Sequence, residues 1–141
     1  MHPKLRLLCI DDEDIGLRVR KVVLERAGYE VLTAQTAQSG IELFKSGSFD
    51  CVILDFLMPG ANGGEIAATL RDIRPEVPIL LLSAYVNLPE EVLQKVDAQV
   101  LKGAGPEQLL RQVRTIIENR RSNDGDPDGN YGPGKVPTPS R

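Results

Sequence analysis

The stretch Cys51-Val52-Ile53-Leu54-Asp55 decides the fold, and Phe56-Leu57-Met58-Pro59-Gly60 must turn the chain directly after it. A short apolar run bounded by turn residues is typical of a strand that is buried on both faces. Leu5–Ile10 is a second apolar run, and it ends in Asp11-Asp12. The sequence therefore predicts two core strands that each carry carboxylates to their carboxyl ends.

Strand-like and helix-like segments alternate five times along the chain. We expect strands near 5–10, 30–34, 50–54, 78–82 and 98–101, and helices near 14–27, 37–46, 63–73, 89–95 and 106–120. This alternation predicts an α/β protein with a doubly wound parallel sheet of five strands. Ligands of such sheets bind beyond the carboxyl ends of the strands.

The first and last helices are predicted from apolar residues that recur at a spacing near 3.6. In the first helix these residues are Ile15, Val19, Val22, Val23 and Ala27. In the last helix they are Leu109, Leu110, Val113, Ile116 and Ile117. Gly28 is expected to end the first helix, and Pro106 suits the first turn of the last one.

Composition narrows the class of protein and its compartment. The 141 residues suffice for one domain with a real core, and the net charge of −3 offers nucleic acid no general attraction. No apolar run is long enough to cross a membrane, and the N-terminus does not read as a secretory leader. Cys9 and Cys51 lie inside predicted strands, where reduced buried thiols are expected. We expect a cytoplasmic protein.

Residues 1–121 are expected to form the folded domain, and residues 122–141 a disordered tail. The tail contains four Gly and four Pro with almost no large apolar residues, so it cannot bury enough surface to fold. Asp124–Gly129 copies the first half of a calcium-binding loop, but Lys135 stands where that loop requires a bidentate Glu. We therefore expect no calcium site.

Polar residues follow the predicted core strands where the carboxyl ends should meet. Asp11, Asp12 and Asp55 bring three carboxylates, Ser83 a hydroxyl and Lys102 an ammonium group. Carboxylates held together repel each other, and a bound cation removes that conflict. Oxygen ligands without His or Cys suit Mg²⁺ or Mn²⁺. The pattern predicts phosphoryl transfer to Asp55 as a carboxylate nucleophile.

These motifs, in this order, resemble the receiver domain of response regulators over roughly residues 4–121. The shared motifs are Asp11-Asp12 after the first strand, Asp55 followed by Met58-Pro59 and Gly63, Ser83-Ala84, and Lys102. The resemblance implies a flavodoxin-like (βα)5 fold with strand order 2-1-3-4-5. It also implies a partner, a sensor histidine kinase or phosphotransfer protein, whose phosphohistidine supplies the phosphoryl group.

The resemblance also implies a role for each residue of the site. Asp55 is the phosphoacceptor, and it would bind Mg²⁺ with Asp12 and the backbone carbonyl of Leu57, while Asp11 acts through water. The phosphoryl oxygens would be held by Ser83, the Ala84 amide and Lys102. Movement of Ser83 towards the phosphoryl group would change the face made by the fourth helix, fifth strand and fifth helix, which a protein effector would read.

Two positions depart from the family pattern. Val100 replaces the usual aromatic residue two positions before the lysine, and Gly103 replaces the usual proline after it. These changes leave open a pseudo-receiver, a protein-interaction module that is not phosphorylated in the cell. A separate enzyme is not expected, since an aspartyl-phosphate hydrolase usually carries a second acid where this chain has Leu57. If no output domain follows residue 121, we expect signalling through a protein partner; a Pro/Gly-rich tail is also typical of a linker to a further domain.

Overall fold

The computed structural model describes residues 3–124. In chain order the elements are β1 (Arg6–Ile10), α1 (Asp14–Arg26), β2 (Glu30–Ala34), α2 (Ala37–Ser46), β3 (Cys51–Asp55), β4 (Leu57–Met58), β5 (Ala61–Asn62), α3 (Gly63–Ile73), β6 (Ile79–Ser83), α4 (Glu90–Leu93), β7 (Ala98–Leu101), a 3-10 turn (Lys102–Ala104) and α5 (Pro106–Asp124).

The main sheet is parallel, with strand order β2-β1-β3-β6-β7. Counting only its five strands, this is the predicted order 2-1-3-4-5, and the flavodoxin-like fold is confirmed. The register pairs Ile10 with both Ala34 and Leu54, and Asp55 with Leu82. The carboxyl ends of the three central strands therefore lie side by side.

The sheet separates two apolar cores, because alternate residues of a strand point to opposite faces. One face, which includes Leu8, Leu54 and Leu81, packs against α2 and α3. The other face, which includes Leu7, Ile53 and Val100, packs against α1 and α5. Covered on both sides, the central strands are apolar between their ends, as their sequences predicted.

Helix α1 forms where its periodicity predicted, but a different set of its residues is buried. Leu17 and Leu24 are the buried apolar residues of α1. Three residues of the apolar series chosen from the sequence are largely exposed, Ile15 at 75%, Val19 at 57% and Val22 at 48%. Two apolar series fit the helical spacing of α1, and only packing against the sheet determines which of them is buried. The series chosen for α5 is confirmed, with Leu110 alone partly exposed.

Two helices differ in length from the sequence expectation. Helix α4 spans only Glu90–Leu93, because Pro89 marks its start and the chain turns towards β7 soon afterwards. Helix α5 continues to Asp124, beyond residue 120, because no glycine or proline interrupts it before Gly125. Of the predicted tail, residues 122–141, the structure describes only 122–124, which form the end of α5; the rest of the tail, with the calcium-loop segment after Asp124, lies outside the described residues. Within residues 3–124, no helix has the length and apolar character needed to span a bilayer.

Candidate functional site

Three carboxylates meet at the carboxyl edge of the sheet. Asp11 follows β1 and its amide donates to the Ala34 carbonyl at 3.0 Å, while Asp55 is the last residue of β3. Together with Asp12, they each offer a carboxylate oxygen, and these three oxygens lie within 4.8 Å of one another. Asp11 and Asp55 are buried and Asp12 is exposed. The predicted acidic cluster is therefore present and open to solvent on one side.

Lys102 brings its ammonium group into this cluster. Its Nζ lies 3.1 Å from Oδ1 of Asp55 and 3.6 Å from Oδ2 of Asp11. Burial alone would lower the pKa of Lys102, but the hydrogen bond to Asp55 and the charge of Asp11 outweigh burial and leave that pKa raised. Lys102 is therefore cationic throughout the physiological pH range.

The buried position of Asp55 makes this carboxylate unusually basic. Burial raises the pKa of Asp55 to about 6, against the lowering effect of the Lys102 hydrogen bond and with a further rise from the charge of Asp11. A carboxylate with a raised pKa is a better nucleophile than an ordinary one.

Ser83 lies at the predicted edge, but its hydroxyl is engaged elsewhere. Its Oγ donates to the Tyr85 carbonyl at 3.1 Å and accepts from the Tyr85 amide at 2.8 Å. The side-chain amide of Gln99 donates to the same carbonyl at 3.1 Å. The Ser83 hydroxyl must therefore leave Tyr85 before it can bind an oxygen beside Asp55. Neither the sequence motif nor the resemblance indicated Gln99.

The segment after Asp55 forms a small antiparallel hairpin that the sequence analysis did not predict. Leu57 pairs with Asn62 in this hairpin, and the Asn62 side chain caps α3. Gly63 is required here, because a β-carbon at this position would lie 2.9 Å from Cα of Phe56. Leu57 lines an open cleft of about 350 Å³, which Asp12, Asp55, Ala84 and Lys102 also line.

Arg20 is a second cation in the site, and the sequence analysis missed it. From α1 it forms an ion pair with Oδ2 of Asp11. A signal existed in the sequence: Arg20 lies three residues after Leu17 and four before Leu24, the two buried residues of the helix. If Leu17 and Leu24 had been taken as the buried face of α1, Arg20 would have been predicted to lie near the sheet edge.

The two departures from the family pattern have different surroundings. Val100 is buried in the core beneath α1 and α5. Gly103 lies in the 3-10 turn after β7, and a β-carbon there would meet no atom within 4 Å. No peptide bond between residues 3 and 124 is cis, so the bond from Lys102 to Gly103 is trans.

The donor set fits a hard divalent cation. Three carboxylates supply only oxygen ligands, and Asp12 carries its charge with no basic partner among the ion pairs of the described residues. Both cysteines are buried away from the edge, where burial raises the pKa of Cys9 to about 12 and that of Cys51 well above its ordinary value. The arrangement is suited to binding a cation and a phosphoryl group at Asp55.

Known proteins place the chain in a family. Residues 7–114 match the family described as "Response regulator receiver domain". The transcriptional regulatory protein SrrA of Staphylococcus aureus is 29% identical over 119 residues, which cover 82% of this chain and 49% of SrrA. The chain thus spans about half the length of the curated relatives it matches.

Solved structures agree with this result. A CheY-like receiver domain from Methanospirillum hungatei superimposes with a TM-score of 0.81 at 26% identity, covering 86% of this chain and 99% of the other. The response regulator TrrA of Thermotoga maritima, solved in complex with Mg²⁺-BeF, gives a TM-score of 0.76 at 33% identity, covering 79% and 98%. With the matched residues spanning the whole sheet and its acidic edge, this chain belongs to the response-regulator receiver family.

Proposed function

We propose that this chain accepts a phosphoryl group on Asp55 from the phosphohistidine of a sensor histidine kinase or phosphotransfer protein. The observation that carries the proposal is the approach of Lys102 Nζ to 3.1 Å from Asp55 Oδ1 inside the acidic cluster. A lone buried carboxylate could be a structural residue, but this arrangement supplies a nucleophile with positive charge beside it. Phosphoryl transfer needs mainly such positioning and charge neutralisation.

In the proposed reaction, a carboxylate oxygen of Asp55 attacks phosphorus while the bond from phosphorus to the imidazole nitrogen breaks. The product is an acyl phosphate, and the electron pair of the broken bond stays on the imidazole. Lys102 neutralises one phosphoryl oxygen, and the Ala84 amide and Ser83 hydroxyl donate to others. For Ser83, this means exchanging the Tyr85 carbonyl for a phosphoryl oxygen.

The residues of the site fit a magnesium ion as cofactor. Asp12, Asp55 and the Leu57 carbonyl would hold it directly, and Asp11 through water. When bound, the ion neutralises charge on the carboxylates and on the phosphoryl oxygens. TrrA, 33% identical to this chain, was solved with Mg²⁺ and beryllofluoride, which supports the same assignment here. Manganese, with the same preference for oxygen ligands, is proposed as a substitute.

We also propose that the phosphorylated domain signals through the face made by α4, β7 and α5, and that it works in the cytoplasm. Gln99 of β7 contacts the loop that carries Ser83 and Tyr85, so the site is connected to this face by a direct hydrogen bond. Beyond assisting its own phosphorylation and dephosphorylation, the domain is not proposed to be an enzyme.

The test is intact-mass analysis after incubation with acetyl phosphate, with and without Mg²⁺. We expect a Mg²⁺-dependent adduct of one phosphoryl group that hydroxylamine removes, because hydroxylamine cleaves acyl phosphates. Asp55→Asn should abolish the adduct. Asp72→Asn, which removes an exposed carboxylate on α3, should leave it unchanged.

Two results would contradict the proposal. An adduct that survives Asp55→Asn would place the phosphoryl group elsewhere. No adduct, together with no binding of beryllofluoride in the presence of Mg²⁺, would favour the pseudo-receiver, in which the fold serves only to bind proteins. Beryllofluoride binding without an adduct would show a competent site that refuses small donors.

A further inference from the structure

The acidic cluster contains a basic side chain, Arg20, that forms an ion pair with Asp11. The guanidinium of Arg20 pairs with Oδ2 of Asp11, and the side chains are only 15% and 2% exposed. The other oxygen of this carboxylate, Oδ1, accepts the Glu13 amide at 2.9 Å, and Lys102 Nζ lies 3.6 Å from Oδ2. Groups of the protein therefore already satisfy both oxygens of Asp11.

The Arg20 guanidinium packs over the first turn of α1. Gly16 lies one turn before Arg20, and a β-carbon at residue 16 would lie 3.4 Å from Nη1 and 3.5 Å from Nη2 of Arg20. These are ordinary van der Waals distances, so the Arg20 guanidinium packs directly over residue 16, and the tighter approach there, 3.1 Å, is to Oε1 of Glu13.

We propose that Arg20 is an internal counter-ion of Asp11 that competes with Mg²⁺ for the acidic cluster. The inference rests on the magnesium site of the proposed function. A divalent cation held by Asp12 and Asp55 would lie close to the guanidinium, and their repulsion would be only partly screened because Arg20 is mostly buried. Arg20 must therefore release or share Asp11 when the cation binds, and the affinity for Mg²⁺ is lowered accordingly.

The guanidinium is not locked in place by a closed network. Its Nε is buried and has no hydrogen-bond partner among the described residues. When the Arg20 guanidinium leaves Asp11, one ion pair is broken. The Nε donor is then free to bind an acceptor in the rearranged site. This is the behaviour needed of a counter-ion that a metal displaces.

The test is a Mg²⁺ titration followed by the backbone amide NMR shifts around Asp12 and Asp55, with the unphosphorylated full chain. For Arg20→Met we expect a dissociation constant about 5–10-fold lower than that of the unmodified protein, since one unit of nearby positive charge is removed. Arg18→Met is the matched control: it removes the same charge from the same helix, but Arg18 is 78% exposed and pairs with Asp14 at 2.9 Å. Its dissociation constant should change less than about twofold.

Arg20→Lys separates charge from shape. It keeps the charge but loses the guanidinium geometry, so its dissociation constant should stay near that of the unmodified protein. A merely structural Arg20 would instead make the methionine and lysine variants bind Mg²⁺ alike. If Arg20→Met does not fold, Arg20→Gln provides the same neutral comparison with a polar end.

The outcomes are distinguishable. Equal affinity in Arg20→Met and the unmodified protein overturns the inference and leaves the magnesium site intact. No Mg²⁺ binding in any variant overturns both the inference and the magnesium site of the proposed function. Tighter Mg²⁺ binding in Arg20→Met, but not in Arg18→Met or Arg20→Lys, supports the inference. A shift of the Arg20 Nε–H resonance when Mg²⁺ is added to the unmodified protein also supports it.

Discussion

Asp55, the proposed phosphoacceptor, shows how one residue's surroundings set its chemistry. Asp55 is almost fully buried at the end of β3, with one cation at hydrogen-bond distance and a second carboxylate nearby. Burial has the largest effect on it, so its pKa rises to about 6 although Lys102 opposes the rise. Without a bound metal, Asp55 is therefore a destabilising charge at neutral pH.

Asp55→Asn should stabilise the protein at pH 8 in the absence of Mg²⁺, by about 2–3 kcal/mol at most. The pKa of Asp55 is higher in the folded than in the unfolded state, so the stability it contributes is complete at low pH and is lost as the pH rises through about 6. The gain in the asparagine variant should therefore shrink as the pH falls through 6. Urea unfolding at pH 8 and pH 5 measures it, and a gain that is the same at both pH values would contradict this account.

At the scale of the element, the loop after β6 is held in place by β7. The Tyr85 carbonyl accepts hydrogen bonds from both the Ser83 hydroxyl and the Gln99 side chain. In the proposed function, Ser83 must give up this carbonyl to reach the phosphoryl group. Gln99 therefore favours the unphosphorylated arrangement and does so from the strand that carries Val100, where the family usually has an aromatic residue.

Gln99→Leu should release this loop and strengthen binding of beryllofluoride in the presence of Mg²⁺. One hydrogen bond contributes about 1 kcal/mol, so the dissociation constant should fall by about fivefold. Calorimetric titration measures it, with Gln94→Leu, at an exposed position after α4, as the control. An unchanged constant in Gln99→Leu would mean that the loop moves independently of β7.

A second connection joins α3 to the segments that lead into β6 and β7, at the edge of the sheet away from the site. The Arg71 guanidinium donates at 3.1 Å to the carbonyls of Lys95, Pro75 and Val77, and it forms an ion pair with Asp97 at 2.5 Å. Arg71→Leu would leave these acceptors without their donor. We expect a loss of about 2–3 kcal/mol in the free energy of unfolding, measured with urea.

Arg18→Leu is the comparison for that measurement, since it removes an arginine whose ion pair is exposed on α1. Such pairs contribute between about 0 and 1 kcal/mol, so its free energy of unfolding should change little. Equal losses of unfolding free energy in Arg71→Leu and Arg18→Leu would show that Arg71 stabilises the fold through its charge and not through its contacts with carbonyls.

At the scale of the whole molecule, the sequence predicted the features that repeat and missed those that depend on a single contact. The five strands follow from continuous apolar runs, and their ends brought Asp11, Asp55 and Lys102 together as expected. The buried side of α1 could not be chosen, because two apolar series fit the same helix. Arg20 was missed for that reason, and Gln99 because its partner is a backbone carbonyl that carries no sequence signal.

The two buried thiols can report how often the folded sheet opens. Cys9 and Cys51 lie on neighbouring strands at the centre of the sheet, both in the core beneath α1 and α5, and both are at most 1% exposed. Burial raises the pKa of both thiols, so a folded molecule offers an alkylating reagent almost no thiolate. An alkylating reagent can therefore label the two thiols only when the sheet opens. The labelling rate measures how often the sheet opens in native buffer, without any denaturant.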